Sequence, residues 1–178
     1  MKPMDEQTTI QLVLSGDDAA YGILIEQHQW GLIRFCFTIT HDADQAEDIA
    51  QEAFIRAYNQ LSNYDPSFRF STWLYRIARN LALNHIRLAT PLPLDGQLEL
   101  QADNDHTQTL DREAREAQVR WAVDQLPEHY RSVIHLHYWD HQPYVAIAAV
   151  MGIPESTVKS WLYRARQQLK ETCHGIIN

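Results

Sequence analysis

The sequence predicts an all-α fold of two small helical domains, and three observations carry that expectation. Apolar residues recur at three- and four-residue spacing from residue 8 to residue 87. No segment alternates apolar and polar residues between turn signals, as half-buried strands do. Near the C-terminus, Gly152 separates two short amphipathic stretches, which is the pattern of a helix-turn-helix.

Taken in chain order, Asp17 or Asp18 can cap a helix that carries Tyr21, Leu24, Ile25, His28, Leu32 and Ile33 on one side. In the next helix Ala46, Ile49, Ala50, Ala53, Phe54, Ala57, Tyr58 and Leu61 fall at i, i+3, i+4 and their repeats, so one face is apolar throughout. Ser62, Asn63, Asp65 and Pro66 then signal a loop. A further helix starts near Ser71 or Thr72 and runs to about Arg87. Pro91, Pro93 and a polar run break the pattern. Helix resumes near Asp111, passes Trp121, Val123 and Leu126, stops by Pro127, returns over residues 133–138 and yields at Pro143 to the helix-turn-helix. There, Ile147, Ala148, Met151, Ile153, Val158, Leu162 and Leu169 have the spacing to pack two helices across the turn. The expected organisation is an N-terminal domain over residues 1–88, a flexible acidic linker over 89–110 and a C-terminal domain over 111–178.

The chain has 178 residues and a formal net charge of −8. Nothing in it approaches the roughly 18 to 20 apolar residues of a membrane span, and its start lacks the basic and apolar regions of a secretion signal, so it reads as cytoplasmic. Its two cysteines, Cys36 and Cys173, cannot make a disulfide framework or a four-cysteine zinc site. His135, His137 and His141 invite a metal reading, but their helical spacing offers no third ligand, so no metal is expected. There is no glycine-rich phosphate loop or nucleophile elbow, and hence no catalytic residue and no cofactor to name.

Charge is partitioned along the chain. Residues 42–53 hold five acids and neither Lys nor Arg, with Glu47, Asp48, Gln51, Glu52 and Arg56 opposite the apolar face. Residues 68–94 hold no acid, while Arg69, Arg76, Arg79 and Arg87 lie near Phe68, Phe70 and Trp73. Aromatic faces beside arginines suit single-stranded nucleic acid, where bases stack and cations follow the backbone. The linker is acidic again. In residues 155–170 the cations Lys159, Arg164, Arg166 and Lys170 face one acid, Glu155, so this segment tolerates DNA despite the global charge.

Four blocks, in this order, resemble the bacterial extracytoplasmic-function (ECF) sigma factors of RNA polymerase. DADQAEDIAQEAFIRAY (42–58) is similar to the family's core-binding helix, and FSTWLYRIARNLALNHIR (70–87) to its promoter-melting segment. LPEHYRSVIHLHYW (126–139) looks like the entry to the C-terminal domain, and PESTVKSWLYRAR (154–166) like its recognition helix. The resemblance implies an alternative sigma factor without catalytic activity or small-molecule substrate. Its partners would be core RNA polymerase, through the β′ clamp coiled coil and the β flap, promoter DNA at the −10 and −35 elements, and an anti-sigma factor able to hold it at the inner membrane. Asp48, Gln51, Glu52 and Phe54 would bind polymerase. Phe70, Trp73, Arg76, Arg79, Asn80 and Asn84 would serve the −10 element, with the loop 62–70 receiving a flipped base. Ser156, Thr157, Lys159, Ser160, Arg164 and Arg166 would serve the −35 element, and the linker would enter the polymerase cleft. Four features depart from the family: Asn84 where Asp is common, a basic run reduced to Arg87, Ala146 where Glu is frequent, and Trp161 where Arg is frequent. Two other readings stay open on sequence alone: a dimeric helix-turn-helix regulator with palindromic operators, and a protein-interaction module.

Overall fold

The computed structural model describes residues 5–89 and 110–177, with side chains over 5–88 and 117–173. Most of the linker expected over 89–110 lies outside the described residues. Among the described residues the regular elements are helical: α1 (Glu6–Leu14), α2 (Asp18–Thr40), α3 (Ala43–Asn59), a single 3-10 turn (Leu61–Asn63), α4 (Phe70–Ala89), α5 (Leu110–Asp124), α6 (Glu128–Tyr138), α7 (Tyr144–Met151) and α8 (Glu155–Ile177). None of these helices is long and apolar enough to cross a membrane.

The caps follow from the local sequence. Asp17 accepts the Ala20 N–H at 3.4 Å at the start of α2, and Asp42 accepts the Gln45 N–H at 3.0 Å at the start of α3. Residues 15–17 separate α1 from α2, whose start falls where the sequence places a cap at Asp17 or Asp18, while α1 itself was not singled out. Gly16, at φ 102°, makes the reversal. Helix α6 begins at Glu128, five residues before the expected 133. Pro127 stands at its N-cap, and its carbonyl accepts the Tyr130 and Arg131 N–H groups at 2.9 and 3.0 Å. A proline ends the preceding helix here and also starts the next.

Helices α2, α3 and α4 share one core. Ala46, Ala50, Ala53 and Ala57 bring α3 close to its neighbours, and Leu24, Leu32, Phe35, Phe54, Phe70 and Leu74 fill the space between. Each large apolar side chain removed from water there is worth about 1.5–3 kcal/mol. Cys36 is wholly buried, and burial pushes its thiol up to about 12, so it is an unreactive core residue. In the C-terminal half, Ile147, Val158, Leu162 and Ala165 pack α7 against α8 below a left-handed Gly152, φ 68°. The two halves also touch. Helix α4 lies along α7, and α2 along α6.

Helix α1 supplies a cap to a distant helix. Glu6 Oε1 accepts the Phe70 N–H at 2.8 Å at the start of α4, and its Oε2 lies 3.2 Å from His28 Nε2. Removing both interactions through Glu6→Ala should cost about 1–2 kcal/mol in chemical denaturation. The hydrogen bond to His28, helped by the Phe70 N–H, holds the Glu6 carboxyl below its ordinary 4.5 against the effect of burial. A carboxyl depressed in this way stabilises the fold fully above about pH 4.5 and ceases to do so as pH falls through its lower folded value. The variant should therefore lose less stability than the parent between pH 5 and pH 3, read by thermal melts across that window. An equal loss in both chains would show that Glu6 contributes nothing to the acid response.

Candidate polymerase and nucleic-acid surfaces

On α3 the buried stripe leaves the acids outward. Asp44, Glu47, Asp48 and Gln51 are exposed. Glu52 is 46% exposed at its side chain and pairs with Arg56 at 2.7 Å, an exposed i, i+4 contact worth a few tenths of a kcal/mol. Phe54 is different: at 6% exposure it belongs to the core, so it can shape the ridge only from beneath. The face contains a residue the sequence pattern did not single out. Ile55 is 56% exposed and continues the Asp48, Gln51, Glu52 stripe at the next helical position. An apolar side chain amid acids is the composition of an interface centre with a polar rim.

On α4, Arg76, Asn80, Asn84 and Arg87 are exposed at four-, four- and three-residue steps and form one outward row. Arg87 donates to Asn84 Oδ1 at 2.6 Å, so Asn84 accepts from a cation much as an Asp there would. Phe70 is fully buried. Trp73 is half-buried, with its ring 5.5 Å from Tyr64 and 6.0 Å from Phe70, and Phe68 stays open to solvent. The preceding loop is tightly tied: the Tyr64 hydroxyl donates to the Phe68 carbonyl at 2.5 Å, and Asp65 accepts the Ser67 N–H at 2.9 Å. Arg79 does not join the outward row. Its side chain is 15% exposed and reaches Glu128 of α6 at 3.5 Å.

On α8, Ser156, Lys159, Ser160, Arg164 and Arg166 are exposed and Thr157 is half-buried. Several are already engaged. Lys159 pairs with Glu155 at 2.9 Å and sits 5.9 Å over the Tyr144 ring. Ser160 donates back to the Ser156 carbonyl at 3.0 Å, and Arg166 donates to the Leu162 carbonyl at 3.2 Å. Tyr163, 59% exposed, stands on the same side as Ser156 and Ser160 and escaped the sequence pattern. The two departures in this domain have structural reasons. Ala146 is 5% exposed, where a glutamate would be buried, and Trp161 packs edge-on against His129 at 4.7 Å and near Tyr130 at 6.3 Å. Trp161 thus covers the α6–α8 core instead of offering a cation.

The histidines are dispersed. His135 is buried beside Asp140, His137 lies by Tyr144, and His141 is exposed at φ 50°. Among the described residues no three His, Cys, Asp or Glu side chains are grouped to hold a metal ion. An open cleft of about 740 Å³ runs between the α4 side, with Asn63, Phe68, Trp73 and Arg76, and the α7 side, with Val145, Ala148, Gly152 and Pro154.

These two helical bodies correspond to known sequence families. Residues 24–90 match Sigma-70 region 2, and residues 116–169 match Sigma-70 region 4. The chain is similar to the RNA polymerase sigma-H factor of Pseudomonas aeruginosa, at 33% identity over 97% of this chain and 95% of the relative. It is also similar to the ECF RNA polymerase sigma factor SigW of Bacillus subtilis, at 31% identity over 91% and 93%. Among solved structures, CnrH in complex with the cytosolic domain of CnrY superposes with a TM-score of 0.72 at 23% identity, covering 96% of this chain and 97% of that one. The sigma factor RpoE of Bartonella quintana, solved with the anti-sigma factor NepR, gives 0.63 at 20% identity over 85% and 96%. With both regions present in order, and that identity sustained over nearly the full length of its relatives, the chain belongs to the ECF sigma factors of RNA polymerase.

Proposed function

We propose that the chain binds core RNA polymerase and directs it to promoters, contributing recognition and no chemistry of its own. The observation that carries this reading is the separation of charge onto different helices: an acidic ridge on α3 and cationic rows on α4 and α8. The ridge, with Asp48, Gln51, Glu52 and the adjoining Ile55, would meet a basic protein surface on the β′ clamp, while Phe54 holds the helix in place. Trp73, Arg76, Asn80 and Asn84 would serve the melted −10 strand, over a Phe70 that sets the aromatic cluster from below, with Arg79 joining them once released from Glu128. Ser156, Thr157, Lys159, Ser160, Arg164 and Arg166 would enter the −35 major groove, with arginines on phosphates and hydroxyls near base edges. The division at residues 1–88 and 111–178, with the acidic linker between, would let one body serve each element. An anti-sigma protein is the regulatory partner this reading brings with it.

The net charge of −8 makes the free chain a poor ligand for DNA, so promoter affinity should appear only with polymerase. Fluorescence anisotropy on a promoter fragment, with and without core enzyme, tests this. Specific binding by the complex and weak binding by the chain alone is the expected result. Tight sequence-specific binding without polymerase would contradict it.

A further inference from the structure

Helix α1 grips both ends of the stretch that leads from α3 into α4. At one end it packs on the 3-10 turn at Leu61–Asn63. At the other, Glu6 Oε1 accepts the Phe70 N–H at 2.8 Å, a bond spanning 64 residues of chain that caps α4 with a negative charge. Glu6 is itself held, since its Oε2 lies 3.2 Å from His28 Nε2, and the His28 ring sits 5.8 Å from that of Phe70. Carboxylate and imidazole thus fix the backbone and the ring of one residue.

Phe70 passes that constraint on. Its ring lies 6.0 Å from Trp73 and 6.1 Å from Tyr64, and Tyr64 in turn stands 5.5 Å from Trp73. The Tyr64 hydroxyl donates to the Phe68 carbonyl, and the Phe68 N–H to the Asp65 carbonyl at 3.3 Å. Trp73 is half-buried and Phe68 open to solvent, so the packed network ends on two aromatic faces beside the outward row of α4. Glu6 is 27% exposed at its side chain, and phosphate repels an anion, so what it offers a nucleic acid is geometry and not contact.

We propose that Glu6 is a positioning residue for capture of the melted −10 strand, holding the loop 64–69 and the start of α4 ready without touching DNA. The proposal rests on the functional reading above. Its consequence is a split between two stages of initiation. Binding of duplex promoter draws on the row of α8 and on exposed cations, none of which Glu6 contacts. Trapping an unpaired strand needs its aromatic faces already in place, because ordering them at that moment costs entropy.

Holoenzymes made with the parent chain, Glu6→Ala and Glu6→Gln are compared on one promoter by abortive initiation, which separates closed-complex affinity from the rate of opening. The temperature is one at which circular dichroism shows all three chains folded. Glu6→Gln keeps a side-chain oxygen for the Phe70 N–H. The Ala variant should open about five- to tenfold more slowly at unchanged closed-complex affinity, the size of a lost cap, and the Gln variant should recover most of that rate. An opening rate unchanged in the folded Ala variant would overturn the assignment. So would a deficit shared equally by closed-complex affinity, or one that Gln does not relieve. Failure of the parent holoenzyme to open any promoter fragment would reject the sigma reading itself, and the role of Glu6 with it.

Discussion

Replacing Asp48 and Glu52 together by Lys should abolish binding to core polymerase at concentrations where the parent chain is saturated, a loss of about a hundredfold or more. The cause is electrostatic. Both side chains lie on the exposed ridge of α3, and reversing two charges turns an attraction for a basic partner into a repulsion of several kcal/mol. The fold should survive. Exposed substitutions of this kind change stability by about 0.5 kcal/mol, and the solvent-exposed ion pair between Glu52 and Arg56 contributes little. Binding measured by competition against the parent chain, beside thermal melts of both, separates the two effects. Undiminished polymerase binding by a folded variant would remove α3 from the interface. Ile55→Ser offers a milder companion, expected to weaken binding several-fold by taking apolar area from the centre of the same stripe.

The second large effect concerns stability. Arg131 is 6% exposed, and its guanidinium donates to three backbone carbonyls: those of Asp124 at 3.1 Å and Leu126 at 2.7 Å, and that of Thr38 at the end of α2. One buried cation thus ties the α5–α6 connection to the N-terminal half. Arg131→Met keeps much of the stem's apolar packing but leaves three acceptors without their donor. Charge-assisted hydrogen bonds and stranded buried carbonyls together set an expected loss of about 2–4 kcal/mol in urea denaturation. A loss under about 0.5 kcal/mol would show that water replaces the guanidinium at no cost.

Much of the fold was legible because its signals are local. The unbroken period of α3, the aspartate that begins α2 and the glycine that closes α7 each act within a few residues. Helix α1 was less visible than the start of α2 that Asp17 marks, since apolar spacing from residue 8 gives it no boundary of its own. The early start of α6 hid behind Pro127, which reads as a stop and serves also as a start. The candidate site was legible as a pattern of charge and less so as a set of contacts. Phe54 and Phe70 carry the motif yet face inward, because an aromatic at a buried helical position fills core first. Ile55 and Tyr163 face outward against their hydropathy, which periodicity registers only as an imperfection. Arg79 belongs to the positive segment, but its partner Glu128 lies in another helix, and no reading along the chain pairs them. The packing of α4 on α7 is of the same kind, since it depends on surfaces meeting across the molecule.

Run-off transcription with purified core polymerase and promoter fragments from the source genome bears most directly on the central claim. The chain should convert core enzyme, inactive on these templates, into one that starts at discrete sites sharing −10 and −35 elements. The Asp48, Glu52 double reversal should suppress those transcripts. Core polymerase that gains no specific transcripts from a chain it demonstrably binds would contradict the account.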